Sequence, residues 1–352
     1  LKSINNMNFV DLNREYKYFK DEIDIRWKNI MSKGVYLFGD ETNYLENNFF
    51  NISGKKYNVT VKNATDAIIL ILRRIYKNNM VIILPNFGAY PTAVACKNIT
   101  NNIYYVDVDS SLTIDVNKLP NIKNGIIIPV HLFGNNCQME KIMNYAKLNN
   151  HIVIEDCAQS TGSGSGKWGD YAVFSFYPTK PLSSMGDGGM ISFNNEKDID
   201  YFKKMRFYGQ YNKTIEKIGI NSRIDEFQSA VVNSKINKFR LLNDKRVSIA
   251  NRYKNIIKGI KVNDYSVFHQ FTILFQNRID IIKKLNNHKI PYMIHYEYHV
   301  SDMTPLKGIY NRVEYKINDK ILSLPVHPFL EEIDIEKIEN FLYENKNFEY
   351  DT

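Results

Sequence analysis

The sequence predicts an α/β protein: a large, mostly parallel sheet flanked by helices, followed by a smaller α/β domain. Three observations carry this expectation. Short apolar runs rich in β-branched residues recur through the first 200 residues or so, and helical patterns separate several of them. Past residue 240 the pattern changes to shorter helices and strands with scattered tyrosines. Strands that alternate with helices form βαβ units, whose strands lie parallel in one sheet.

The apolar runs Val81–Leu84, Ile103–Val108, Gly125–Val130, Ile152–Ile154 and Met190–Phe193 are read as strands. Ala67–Tyr76 and Met139–Asn149 repeat their apolar residues at helical spacing and are read as the intervening helices. A long helical stretch is expected over Arg223–Asn243. The change of pattern divides the chain into a major domain, 1–239, and a smaller one, 240–352, with no Pro/Gly/Ser linker at the join.

A chain of 352 residues is long enough to bury a sizeable core without staples. Cys96, Cys137 and Cys157 have no CxxC spacing, which argues for buried thiols in a reducing compartment rather than disulfides or zinc. No apolar run approaches the roughly 18–20 residues that span a bilayer, and LKSINNMNFVDL lacks a signal-peptide core. The expected location is cytoplasmic, without a membrane partner. The net charge of +8 is spread along the chain with no basic cluster, which favours an acidic small substrate over nucleic acid.

In open α/β sheets the site lies beyond the carboxyl ends of the strands. Ser160–Lys167 (STGSGSGK) looks like a phosphate loop, but Thr161 stands where the first glycine is required and Trp168 follows the lysine, so it is read as a turn. His295, His299 and His327 have no metal-ligand spacing and are read as structural, with room for one to touch substrate; no metal site is expected. Asp156 places a carboxylate just after an apolar strand. Ser175 and Lys180 sit on the next strand-to-loop transition, in FSFYPTKPLSSMGDGG. Asn63–Ala67 precedes an apolar helix that Thr65 or Asp66 is placed to cap, and a helix N-terminus holds anions. Pyridoxal 5'-phosphate asks for this whole set: a desolvated lysine for a Schiff base, a carboxylate on the pyridine nitrogen, and N–H and hydroxyl groups for the phosphate.

Ordered segments along almost the full length carry a resemblance. They are FVDLNREY (Phe9–Tyr16), KGVYLFGDE (Lys33–Glu41), NATDA (Asn63–Ala67), YYVDVD (Tyr104–Asp109), PVHLFGNNCQM (Pro129–Met139), VIEDCAQSTG (Val153–Gly162), GDYAVFSFYPTK (Gly169–Lys180), GDGGMI (Gly186–Ile191), GINSRIDEFQSA (Gly219–Ala230) and LSLPVHPFL (Leu322–Leu330). With these the chain resembles the DegT/DnrJ/EryC1/StrS family of sugar-nucleotide aminotransferases, its 4-aminotransferase branch in particular. The resemblance implies the fold type I aminotransferase architecture and pyridoxal phosphate as cofactor. It implies Lys180 as the Schiff-base lysine, Asp156 on the pyridine nitrogen and Gln159 on the cofactor's hydroxyl side. Ser175, Ala64 and Thr65 match the phosphate cradle, and Asn221 and Arg223 match groups that reach a partner's phosphate across a homodimer with shared active sites.

This sequence departs from the family pattern at three places. Ala64 stands where glycine is usual. Ala89 takes the place of the aromatic that stacks on the ring, so that Tyr90 or Phe87 must serve. Pro181, Ser183 and Ser184 follow the lysine in place of commoner Asn and Gly. The expected reaction is transfer of the amino group of L-glutamate to a nucleotide-linked 4-keto-6-deoxyhexose. The alternatives are amination at C3, a dehydratase of the same fold, and a silent regulatory protein. The dehydratase reading is disfavoured because those relatives carry histidine where this chain has Lys180.

Overall fold

The computed structural model describes residues 7–77, 79–211 and 214–348. Seven strands form the central sheet: β1 (Tyr57–Val61), β2 (Ile82–Pro85), β3 (Ile103–Val106), β4 (Ile126–Ile127), β5 (Ile152–Asp156), β6 (Tyr171–Ser175) and β7 (Gly189–Phe193). Their order is β1-β7-β6-β5-β4-β2-β3. Strands β2 to β6 pair in parallel, and β7 lies antiparallel between β6 and β1.

The period of two along each strand feeds two cores. Ile82, Leu84 and Ile154 face a cluster with Ile68 and Leu72 of the helix Ala64–Ile75 and with Ala93 of the helix Pro91–Lys97. Ile83, Ile127 and Val153 face the opposite cluster, with Ile142 and Ala146 of the helix Met139–Asn149. A sheet covered on both faces needs apolar residues at every position, which is why these strands read as continuous runs. The expected strand Gly125–Val130 shortens to β4 because Pro129 has no N–H for the ladder. Its carbonyl still accepts from Asp156 N at 2.9 Å, and Val130 resumes the pairing with Asp156.

The helical stretch expected over Arg223–Asn243 is two helices, Glu226–Ile236 and Phe239–Lys254. Asp225 caps the first, its carboxylate accepting from Gln228 N at 2.9 Å, so Arg223 lies outside it. The apolar pattern runs through the break because Val231 and Val232 before it and Phe239 and Leu242 after it are all buried. Asn63, rather than Thr65 or Asp66, caps the helix Ala64–Ile75, accepting from Asp66 N at 2.8 Å. The helix therefore starts three residues before the expected Ala67.

A second hydrophobic cluster holds the C-terminal part together. It joins Tyr253, Phe271, Ile273, Leu322, Leu324 and Phe341, across the antiparallel pair Phe271–Leu274 and Ile321–Leu324; Met7 packs into it from the other end of the chain. Cys96, Cys137 and Cys157 are free and buried, as expected. Among the described residues no helix is long and apolar enough to cross a membrane.

Candidate active site

Strand β6 ends at Ser175, and the chain turns through Tyr177-Pro178-Thr179, with Lys180 N donating to the Tyr177 carbonyl at 2.9 Å. The Lys180 side chain is half-buried. Burial pulls its amine down from 10.5 to about 8, while the nearby Asp156 carboxylate opposes the fall. At neutral pH such a shift leaves roughly 300-fold more neutral amine than an ordinary lysine carries.

Asp156 is the last residue of β5, next to β6, and is buried. Its Oδ2 accepts from Thr92 Oγ1 at 2.6 Å and its Oδ1 from Ala158 N at 3.0 Å. The carboxylate is thus fixed in orientation while both oxygens keep free lone pairs. Gln159 is buried beside it: Oε1 accepts from Phe133 N at 2.8 Å and Nε2 donates to Tyr296 Oη at 3.0 Å. The Tyr296 ring stacks on Phe133 and meets Phe87 edge-on, and burial raises its phenol to about 12.

Ser175 pairs with Gly189 across β6 and β7. A Cβ on Gly189 would lie 2.6 Å from the backbone carbon of Asn63 and 2.9 Å from Ala64 N, so only glycine lets β7 start against this helix. The contact sets the end of β6 at Ser175 close to the N-terminus of Ala64–Ile75, and the Ser175 hydroxyl accepts from Tyr177 N at 3.3 Å. Among the described residues, the N–H groups of Ala64 and Thr65 donate to no protein acceptor. Free N–H groups, a hydroxyl and a backbone approach that excludes a Cβ fit a phosphate, and the lysine–carboxylate pair fits the pyridine ring and aldehyde of the cofactor.

The structure thus brings Lys180, Asp156, Gln159, Ser175, Ala64 and Thr65 to one sheet edge. It separates the two candidates for the stacking aromatic. Phe87 is buried against Tyr296 and His299, whereas Tyr90 is 54% exposed at the start of the helix Pro91–Lys97. Asn221 and Arg223 flank Ser222, whose hydroxyl accepts from Lys62 N at 3.1 Å, but among the described residues neither side chain bonds to the site groups. Asn221 is exposed, and the Arg223 guanidinium lies 4.9 Å over the Phe207 ring.

Sequence reasoning missed Thr92, Tyr296, His269 and Arg246. Thr92 is a hydroxyl in the first turn after a strand, which its position signals, but its pairing with Asp156 is a contact between distant segments. His269 and Arg246 line a small pocket with Lys180 and His327. Burial holds His295 at about 4, with Lys180 adding to the effect, so its imidazole is neutral; His269 is pushed down for the same reasons.

The end of the glycine-rich loop Ser160–Lys167 and the two residues after it close on an anion of the protein's own. The buried Glu155 accepts from Gly166 N (2.9 Å), Trp168 N (2.7 Å) and Gly169 N (2.7 Å). His131 Nε2 is 3.1 Å from the same carboxylate, and Nδ1 accepts from Cys137 N, which leaves Nε2 as the protonated nitrogen. Burial pushes the Glu155 carboxyl upward, but these bonds outweigh it and hold it low. With four bonds already accepted, Glu155 anchors the loop, although His131, Glu155 and Cys157 lie close enough together to hold a cation.

A lysine whose amine is lowered to about 8, beside a pinned carboxylate at the carboxyl ends of the parallel strands β5 and β6, fits the class of pyridoxal-phosphate enzymes. Within that class the chain belongs to the DegT/DnrJ/EryC1/StrS aminotransferase family, whose sequence profile matches residues 18–342. It is 28% identical to a UDP-2-acetamido-2-deoxy-3-oxo-D-glucuronate aminotransferase of Pseudomonas aeruginosa, over 94% of this chain and 98% of that one. It is 30% identical to a UDP-N-acetyl-3-dehydro-alpha-D-glucosamine 3-aminotransferase of Acidithiobacillus ferrooxidans, over 94% and 95%. It is also 30% identical to a dTDP-3-amino-3,6-dideoxy-alpha-D-galactopyranose transaminase of Aneurinibacillus thermoaerophilus, over 94% and 97%. A crystal structure of a family aminotransferase from Brucella abortus superposes with a TM-score of 0.89 at 27% identity, covering 97% and 99% of the two chains. The fold is also that of NtdA from Bacillus subtilis, solved with bound cofactor PMP, at a TM-score of 0.89 and 23% identity, over 98% of this chain and 86% of that one. The chain is therefore a pyridoxal-phosphate-dependent transaminase, with the fold type I architecture that the sequence led us to expect.

Proposed function

We propose that this transaminase moves the amino group of L-glutamate onto the C3 keto carbon of a nucleotide-linked hexose. The observation that carries the chemistry is the Lys180 amine held at about 8 beside an Asp156 carboxylate fixed by Thr92 and Ala158. The ring position is supported by the relatives above, whose names carry 3-oxo, 3-dehydro or 3-amino. They move the reading from the C4 amination expected from the sequence to C3.

Pyridoxal phosphate, when bound, supplies the electron sink that makes a proton on the carbon bearing nitrogen removable. Ser175 Oγ and the N–H groups of Ala64 and Thr65 hold the phosphate. Asp156 keeps a proton on the pyridine nitrogen, because a carboxylate with spare lone pairs stabilises the charged ring. Lys180, neutral in part, would accept the proton from the donor carbon and hold it as an ammonium until it is given up, and would carry a proton the opposite way for the sugar ketone. Gln159 orients the ring's hydroxyl side, and Tyr296, Phe133 and Phe87 keep water from that flank. Tyr90, left exposed, would be available to cover the open face of the ring.

We further propose a two-fold homodimer in which each site is completed by Asn221 and Arg223 of the other chain. Val35, Tyr36, Leu37 and Phe38 form an exposed apolar stretch, and Tyr208 and Ile218 are exposed as well. Leu37 bridges Asp225, and Phe207 bridges Asn221, so this apolar surface is continuous with the Asn221–Arg223 segment. A second copy that covers it carries Asn221 to a neighbour's site. The division at residue 240 is proposed on the C-terminal cluster, whose residues apart from Met7 all lie beyond it.

The test is a panel of nucleotide-linked 3-keto and 4-keto hexoses given to the holoenzyme with glutamate, with products identified by mass spectrometry and NMR. An amine at C3 with stoichiometric 2-oxoglutarate is expected. Turnover confined to 4-keto substrates overturns the ring position, and no turnover of any sugar overturns the substrate class.

A further inference from the structure

Away from Lys180, a cleft of about 730 Å³ opens between the 109–111 turn, the loops after β4 and β5, and residues 261–265. Its walls are tied together by amide side chains. Asn135 Nδ2 donates to the carbonyls of Ser111 (3.2 Å) and Lys261 (3.1 Å), and its Oδ1 accepts from Asn263 N (3.0 Å). Asn263 Nδ2 donates to the Asn136 carbonyl (2.9 Å), and Asn136 exchanges two bonds with Ser163 (2.9 and 2.6 Å). These six bonds fix the cleft's shape in advance, which lowers the ordering cost of binding.

The same bonds commit these amides to the walls. Asp109 is committed too, accepting from Ser111 and from Gln138 Nε2. The groups that remain for a ligand are Lys167, Lys261, Trp168 and Tyr265, all exposed, with Glu140 on the rim. Among the described residues neither lysine has a carboxylate within ion-pair reach. Trp168 is 51% exposed and Tyr265 is 73% exposed, although both are large aromatics. Because Glu155 takes the amides of Gly166, Trp168 and Gly169, the side chains of Lys167 and Trp168 are what this stretch offers outward.

Two ammonium groups without a carboxylate partner and two exposed aromatic rings lining one cleft suit a ligand that joins a planar ring to a negatively charged group. The volume lies within the range of roughly 300–1,000 Å³ typical of small-molecule sites, too large for a lone phosphate. We propose that this cleft is a second, non-catalytic site for a nucleoside diphosphate, its base on Trp168 and Tyr265 and its phosphates on Lys167 and Lys261. The inference does not depend on the sugar or the ring position proposed above.

The chain has two tryptophans, and Trp27 is engaged elsewhere, its Nε1 donating to the Phe227 carbonyl. Uridine diphosphate or guanosine diphosphate titrated into the holoenzyme should therefore quench Trp168 fluorescence saturably, and Trp168→Phe should abolish the response. The double variant Lys167→Ala/Lys261→Ala should weaken the quench midpoint about tenfold or more, as expected for lost charge-assisted contacts. It should leave kcat and the KM for the sugar nucleotide near wild type, which also shows that it folds. An equal response to pyrophosphate, a midpoint unchanged in the double variant, or a quench that survives in Trp168→Phe would overturn the second site. Loss of turnover with the Trp168 response intact would instead count against the catalytic reading alone.

Discussion

Replacing Lys180 by methionine should make the cofactor-free protein more stable at neutral pH. A lysine whose pKa falls from 10.5 to about 8 on folding carries its charge in the wrong place, at a cost of roughly 3 kcal/mol. Below the folded value both folded and unfolded chains hold the proton, and the penalty is fully present. Between the two values the unfolded chain keeps its proton while the folded chain sheds it, so stability rises with pH. Above the unfolded value the penalty is gone. Wild type should therefore gain about 2 kcal/mol between pH 7 and 9.5 from this group alone, and the methionine variant should not.

Between pH 7 and 9.5 the other groups contribute nearly equally to both proteins, because His269 and His295, which feel Lys180, stay neutral there, and the packing of methionine is independent of pH. The difference between the two stability profiles thus isolates Lys180. Urea unfolding of both cofactor-free proteins at several pH values measures it. Parallel profiles would show that the amine is not desolvated in the folded protein, and the explanation of its neutral fraction would fall. The same penalty would favour cofactor capture, since only the uncharged amine attacks an aldehyde. Borohydride should accordingly fix the cofactor to wild type and not to the variant.

Asp156→Asn preserves the bonds to Thr92 and Ala158 in outline but removes the charge, so kcat should drop on the order of a hundredfold or more; a wild-type kcat would reduce Asp156 to a strand-end residue. Gly189→Ala places a methyl 2.6 Å from Asn63 backbone and should weaken cofactor binding at least tenfold in equilibrium dialysis; unchanged affinity would separate this contact from the phosphate cradle. Hybrids of Lys180→Ala chains with Asn221→Ala/Arg223→Ala chains contain one doubly damaged and one intact site if sites are shared, so activity should return to about half of wild type per hybrid dimer. Verified hybrids without recovery would return the GINSRID segment to its own chain.

Much of the fold was legible because a sheet covered on both faces writes itself as apolar runs. Ile82–Leu84 and Ile152–Ile154 are such runs, and Met139–Asn149 could be read to the residue because its apolar face alternates with an exposed one. What failed to show were breaks inside buried helix. Nothing in composition marks the turn at Asn237–Lys238, because the residues on both sides are buried and the period runs on. β1 escaped as well: YNVTV is short and polar at alternate positions, and it enters the sheet only by pairing with a strand more than a hundred residues away.

For the site, sequence showed the residues that chemistry demands and missed those that hold them. Lys180, Asp156 and Ser175 stand at strand ends where side chains of their kind are conspicuous. Thr92, Tyr296 and His269 act through contacts between distant segments, and a hydroxyl or an imidazole alone in a sequence points nowhere. The glycine-rich loop is the clearest case. Its spacing fails the phosphate-loop pattern at Thr161 and Trp168, yet the backbone from Gly166 to Gly169 does what such loops do and converges N–H groups on an anion. The anion is Glu155, one residue before the carboxylate expected to hold the cofactor. Because neighbours on a strand point to opposite faces, the same short stretch anchors the loop with Glu155 and turns Asp156 toward Thr92 and Lys180. A one-residue slip of β5 would exchange the two carboxylates, so the loop's grip on Glu155 also fixes the register that delivers Asp156.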